Sequence, residues 1–216
     1  MVERVTGLRA ETVRANLDRV RGEIASTGRD VGEVQILAAV KYVPVDELGV
    51  LAEAGIELVG ENRAQDLVAK AEAYPEVFTW DFIGHLQSRK VRQVLPHVRY
   101  IETVASDSVL AQLERHASPE TEVLVEINVA CEEGKSGLDP DELPAFLERC
   151  PVTVVGLMTM PPLAPDPEDS RPHFAALREL AGLHGLRELS MGTSQDYLVA
   201  VQEGATIVRL GTSLYA

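Results

Sequence analysis

The sequence predicts an α/β fold: a single (β/α)8 barrel of the TIM type, one domain spanning residues 1–216. Three observations predict it. Eight short apolar runs follow one another after residue 34. Longer polar or amphipathic stretches separate them, and strict alternation of strand and helix implies a parallel sheet. Eight such units are the number that closes into a barrel. The main alternative is an open doubly wound sheet, but no Gly-x-Gly-x-x-Gly follows the first run.

An N-terminal helix is expected at about 8–27. Val13, Leu17, Val20 and Ile24 recur at intervals of 4, 3 and 4, one face of a 3.6-residue period, and Gly28 is a plausible stop. The expected strands are 35–40, 56–60, 80–84, 100–103, 123–129, 154–158, 188–191 and 207–210. Helical patterns lie between them at 45–54, 64–73, 87–95, 108–116, 140–150, 173–183 and 197–203. The proline-rich stretch 161–172 follows the sixth strand, where a barrel places either a functional loop or a rigid connection.

Composition narrows the function. The 216 residues are 45% hydrophobic and 25% charged, with a formal net charge of −14. That acidity argues against nonspecific binding to nucleic acid or to anionic membranes, both of which need a cationic face. No apolar run approaches the roughly 20 residues that span a bilayer. Met1-Val2-Glu3-Arg4 lacks a secretory apolar region, so a cytoplasmic protein is expected. Cys131 and Cys150 form no metal or redox spacing and are expected as reduced thiols.

The chemistry is expected at the strand ends. Lys41 closes the run Ile36-Leu37-Ala38-Ala39-Val40, where a charge is costly unless paired or converted to something else. The three other lysines, Lys70, Lys90 and Lys135, read as parts of solvated faces. Gly-Thr-Ser occurs twice, at 192–194 and 211–213, after the seventh and eighth runs. Barrel phosphate sites use those two loops. Ser194 also precedes a helix and reads as its N-cap or as a phosphate ligand. A strand-end amine opposite two phosphate cradles suggests a phosphorylated aldehyde held as a Schiff base, with pyridoxal 5'-phosphate the leading candidate. A Schiff-base aldolase acting on a sugar phosphate stays open, although its lysine usually sits on a later strand. Arg209 interrupts the last apolar run and needs either a ligand or a carboxylate such as Glu61 or Glu126.

Several segments, in order, resemble the pyridoxal phosphate homeostasis protein family. They are Ala38-Ala39-Val40-Lys41, Gly60-Glu61-Asn62-Arg63-Ala64-Gln65, and Phe82-Ile83-Gly84-His85-Leu86-Gln87-Ser88-Arg89-Lys90. Ile127-Asn128, Glu132 and Lys135-Ser136-Gly137 continue the match. So do Gly156-Leu157-Met158-Thr159-Met160, Leu189 through Asp196, and Val208-Arg209-Leu210-Gly211-Thr212. The resemblance implies a barrel like the N-terminal domain of alanine racemase, the type III fold of pyridoxal phosphate proteins. It implies the cofactor on Lys41, Arg209 facing the pyridine nitrogen, Ser194, Gly211 and Thr212 around the phosphate, and Asn62, His85 and Met191 close by. Thr193, Arg89 and Ala216 stand where many relatives carry Met, Asn and Gly.

The resemblance also implies a role in cofactor buffering or delivery, with free amino acids and pyridoxal phosphate-dependent apoenzymes as partners. Alanine racemase carries a second, all-β domain that supplies a catalytic tyrosine across its dimer. The 216 residues hold no counterpart of it. A monomer without substantial turnover is therefore expected. The alternative is a low-activity amino-acid racemase or lyase, with Tyr42, Tyr197 and Tyr215 as the local phenols.

Overall fold

The structure, a computed structural model, describes residues 4–216. Helix α1 (Ala10–Ser26) buries Val13, Leu17, Val20 and Ile24, the four residues of its apolar stripe. Gly28 follows it with φ +87°, the left-handed conformation that stops helices. Eight parallel strands then alternate with eight helices. The strands are β1 (Gln35–Ala39), β2 (Leu58–Glu61), β3 (Thr79–Phe82), β4 (Tyr100–Val104), β5 (Glu122–Glu126), β6 (Thr153–Met158), β7 (Glu188–Thr193) and β8 (Ile207–Leu210). The helices are α2 (Leu48–Glu53), α3 (Ala64–Ala73), α4 (Val91–Val94), α5 (Asp107–His116), α6 (Leu143–Arg149), α7 (Arg171–Leu183), α8 (Tyr197–Gln202) and α9 (Thr212–Tyr215). Each strand pairs with the next, and β8 pairs back onto β1 to close the barrel.

Strand parity divides the side chains into two shells. Outward residues such as Ala38, Val59, Trp80, Phe82, Ile101, Val123, Leu157, Met191 and Val208 join the helices' apolar faces in one large core. The interior is different. Leu124, Val155 and Met158 form a small separate cluster with Tyr100. Around it lie buried charged groups, Asp81, Glu102 and Arg209. Asp81 receives two hydrogen bonds from Arg99, at 3.1 and 2.6 Å. Burial raises its carboxyl above the usual range, and the Arg99 guanidinium opposes that.

Some elements differ from expectation. The helix expected at 87–95 is broken into a 3-10 turn (Ser88–Lys90), the single turn of α4, and a second 3-10 turn (Leu95–His97). Pro96 has no N–H to extend the α-helix. The fifth strand ends at Glu126 rather than 129. Asn128 turns away and its N–H bonds to the Leu138 carbonyl at 2.9 Å. Helix α7 starts at Arg171 with Pro172 in its first turn, where no donor is needed. Helix α9 was not expected. It is tied to α1, because Asn16 donates to the carbonyls of Leu214 and Ala216, and Arg19 to that of Ser213.

Both cysteines are free thiols. Among the described residues no helix is long and apolar enough to cross a membrane.

Two glycines give opposite expectations. Gly22 lies exposed in α1, and a Cβ there meets nothing within 4 Å. A Cβ at Gly84 would meet the Asn62 carbonyl oxygen at 2.1 Å. In chemical denaturation, Gly22→Ala should stabilise by about 0.5–1 kcal/mol, whereas Gly84→Ala should lower the midpoint. A Gly84→Ala protein as stable as the parent contradicts the close approach of these two loops.

Candidate cofactor site at the barrel mouth

Lys41 lies in the turn after β1 and its side chain is exposed, with Nζ 5.0 Å from the Tyr42 ring centroid. The expected burial of this amine at a strand end is therefore corrected, since the strand stops two residues earlier. The buried lysine is Lys70, expected on a solvated face but only 4% exposed. It falls on the inner stripe of α3 with Ala64, Leu67 and Ala71. Its Nζ donates to the Val40 carbonyl at 2.7 Å and to Glu61 Oε2 at 2.5 Å. Glu61 Oε1 in turn accepts from the N–H groups of Asn62 and Arg63, at 2.7 and 3.2 Å. One buried ion pair thus fixes the peptide before Lys41 and the turn that carries Asn62.

Register places the neighbours of Lys41. On one side Ala39 stands opposite Gly60, and the Val40 N–H bonds to the Gly60 carbonyl at 2.9 Å, which sets Asn62 beside Lys41. On the other side Ala38 stands opposite Leu210, so Gly211 and Thr212 follow directly. Asn62 Oδ1 is buried without a partner, which is costly unless a ligand supplies a donor. His85 is exposed between two cavities. One, of about 360 Å³, is also lined by Asn62, Gln87, Arg89 and Lys90. The other, of about 200 Å³, is lined by Glu126, Asn128, Ser136 and Met160.

The two Gly-Thr-Ser segments play different parts. Gly192, at φ +91°, packs so closely that a Cβ would meet that of Ala200 at 2.6 Å. Thr193 donates its N–H and its hydroxyl to Asp196 Oδ1, and Asp196 rather than Ser194 is the N-cap of α8. Ser194 is turned to the other loop. Its Oγ accepts from the N–H groups of Gly211 (3.1 Å) and Ser213 (3.2 Å). Two backbone donors converge on one oxygen whose own hydrogen is not used in these bonds. Thr212 is exposed at the start of α9. The phosphate candidates Ser194, Gly211 and Thr212 are therefore brought together.

Arg209 points into the barrel and is 6% exposed. Its Nη1 donates to Ser190 Oγ at 2.5 Å, and its Nη2 to the Thr159 carbonyl at 2.8 Å and Met160 Sδ at 3.1 Å. Neither expected carboxylate is its partner. Glu61 faces outward to Lys70, and Glu126 accepts from Ser136 at 2.6 Å. The facing carboxylate is Glu102, 3.8 Å away and fully buried. Sequence reasoning missed Lys70, Ser190 and Glu102. For Glu102 the signal was parity: in Tyr100-Ile101-Glu102 it shares a face with Tyr100, away from the core residue Ile101.

Met191 is a further correction. Ser190 occupies the interior, so Met191 on the next position packs outward, fully buried in the core between strands and helices. It supports β7 and does not bring its side chain to the mouth. Of the three phenols, Tyr197 donates to Glu23 on α1, and Tyr215 donates to the Ala39 carbonyl at 3.3 Å. Burial raises both phenols above their usual range, Glu23 adding to the shift for Tyr197 and Glu61 for Tyr215.

An exposed amine, a hydroxyl held by two N–H groups with its own hydrogen free of those bonds, and a buried guanidinium fit an anionic ligand that carries a carbonyl, and the orphaned amide oxygen of Asn62 would take a donor from it. The alanine racemase N-terminal domain family matches residues 9–216. A pyridoxal phosphate homeostasis protein from Aquifex aeolicus is 37% identical, with 92% of this chain and 93% of that protein aligned. The chain belongs to the pyridoxal phosphate homeostasis protein family. The family's human member is 34% identical over 94% of this chain. PipY of Synechococcus elongatus, solved with pyridoxal phosphate bound, superposes with a TM-score of 0.79 at 30% identity, covering 94% of this chain and all of that one. Alanine racemase of Corynebacterium glutamicum shares the fold at 15% identity, with a TM-score of 0.72, and this chain covers 61% of its length.

Removing Lys70 leaves Glu61 buried and unpaired. Lys70→Met should cost about 3–5 kcal/mol of stability, as for other broken buried pairs. Lys135→Met, which breaks a partly exposed pair with Glu132, should cost at most about 1 kcal/mol. Equal denaturation midpoints for the two variants would remove the argument.

Proposed function

We propose that this protein binds pyridoxal 5'-phosphate as a Schiff base on Lys41 and serves cofactor homeostasis, buffering or delivering it, without substantial turnover. The observation that carries the reading is the Ser194 hydroxyl, held by two backbone N–H groups in the loop that adjoins Lys41. The bound cofactor supplies an aldehyde that condenses with amines and a pyridine ring that withdraws electrons from them. The protein's part is to hold and orient it. The Lys41 amine attaches at the mouth. Ser194, Gly211 and Thr212 receive the phosphate, Arg209 lies toward the pyridine nitrogen, and Asn62 and His85 flank the ring. An arginine stays protonated, so it donates to that nitrogen and leaves the ring a weaker electron sink.

Little turnover is proposed because proton transfer on both faces of a substrate carbanion needs two opposed groups. Tyr197 and Tyr215 are engaged elsewhere, and the Tyr42 ring lies against Lys41 itself, its centroid 5.0 Å from Nζ. The same reading takes residues 1–216 as one cofactor-binding domain of a cytoplasmic monomer. Its partners are free amino acids and pyridoxal phosphate-dependent apoenzymes.

Borohydride reduction of the loaded protein, followed by peptide mapping, should place the label on Lys41. Label on Lys90 or Lys135, or none, rejects the attachment. In deuterated water, α-proton exchange of amino acids should stay below about one per second, the low end of ordinary enzymes. Faster exchange favours the racemase or lyase.

Ser194→Ala and Thr212→Ala should each remove a hydrogen bond to a charged acceptor, about 1.5–3 kcal/mol. That lowers cofactor affinity roughly 10- to 150-fold in an equilibrium titration. Unchanged affinity in both variants places the phosphate elsewhere.

A further inference from the structure

Glu102 has no role in the reading above, yet it is fully buried in the barrel interior. Its Oε2 accepts from Ser190 Oγ at 2.5 Å, and its Oε1 has no partner. The same Ser190 oxygen accepts from Arg209 Nη1 at 2.5 Å. The serine hydroxyl therefore bridges carboxyl and guanidinium, and its proton must point to Glu102 for both bonds to exist. Since Arg209 is anchored on Ser190, Thr159 and Met160, its position depends on that bridge.

We propose that Glu102 is a positioning residue for Arg209 and that, through Ser190, it sets the charge the barrel interior presents to the anionic cofactor. The inference rests on the proposed binding of pyridoxal phosphate and adds a control on its retention. When Glu102 carries a proton, the positive charge of Arg209 is left for the ligand. When Glu102 is ionised, the two form a neutral pair and the interior holds the anion less firmly.

The groups facing Glu102 agree with a carboxyl that changes state near neutrality. Asp81 on β3 repels its charge, Arg209 on β8 favours it, Ser190 on β7 hydrogen-bonds it, and Arg99, at the start of β4, favours it weakly. Burial dominates and pushes the carboxyl up to about 8. Glu126 and Asp196 act on the Arg209 side. The sign follows. A group raised from the ordinary carboxylate range is protonated in the folded protein below about 8 and loses its proton as pH rises through that value. Cofactor retention should weaken across the same window.

The test is the affinity of the purified full chain for pyridoxal phosphate, at about pH 6.5 and about pH 9, on either side of the Glu102 titration. Wild type, Glu102→Gln and Ser190→Ala are compared. Glutamine keeps a hydrogen bond to Ser190 but cannot ionise, so ligand and lysine titrations common to both proteins cancel in the ratio. Wild type and Glu102→Gln should agree at the lower pH. At the higher pH wild type should be weaker by roughly tenfold, the order expected for one charge several ångströms away at an effective dielectric near 20. Ser190→Ala should bind more weakly than wild type at the lower pH, because the anchor of Arg209 is lost. Parallel pH curves for wild type and Glu102→Gln overturn the proposal. If Glu102→Gln does not fold, unchanged affinity in Ser190→Ala overturns it instead. A wild-type chain that binds no pyridoxal phosphate at either pH overturns the parent reading and this one together. Binding with parallel curves overturns only this one.

Discussion

Pairing of β8 with β1 is the contact on which the site depends. Ala38 and Leu210 are far apart in sequence and lie opposite each other in the closed barrel. That register puts the turn carrying Lys41 beside Gly211 and Thr212. Without it there is a strand-end amine and, separately, a loop of backbone donors. A slip in that register would change which residues of the two turns adjoin. The Lys70–Glu61 pair acts on the other flank, holding the turns after β1 and β2 together from beneath.

The barrel works by separating two environments. Its outer shell, between strands and helices, is apolar and continuous. Its interior holds a small apolar cluster together with a hydrogen-bonded polar set, Arg99 on Asp81 and Arg209 on Ser190 and Glu102. Interiors of this kind gain little from burial, because desolvation of ions offsets most of their attraction. What they provide is fixed polarity close to the mouth. In a chain of net charge −14, an anion is attracted by such local groups and not by the field of the whole.

Much of this was legible in the sequence. The alternation of apolar runs gave the fold because parallel strands and their helices differ sharply in period. The placement of Lys41, Ser194, Gly211 and Thr212 at one rim was legible because barrel strands deliver their last residues there. Burial of Lys70 was not. A lysine on an inner helical stripe reads as a surface charge until the strand beneath it is known to carry Glu61. Met191 was expected near the cofactor from the resemblance alone, and strand parity would have corrected it, since one position separates the interior from the outer shell. Glu102 was hidden by long-range register, since its meeting with Ser190 joins residues 88 apart. The broken helix around Pro96 shows a local rule, the missing proline N–H, prevailing over a good apolar pattern.

The bonds from Asn16 and Arg19 to the carbonyls of α9 join residues as much as 200 apart. They clamp the turn that begins with Thr212 and Ser213 from outside the barrel. In chain order α1 precedes the eight strands and that turn follows them, so the clamp joins the two flanks of the strand sequence across the closed barrel. A fragment of this chain that lacks α1 would therefore leave that turn without its outer hydrogen bonds.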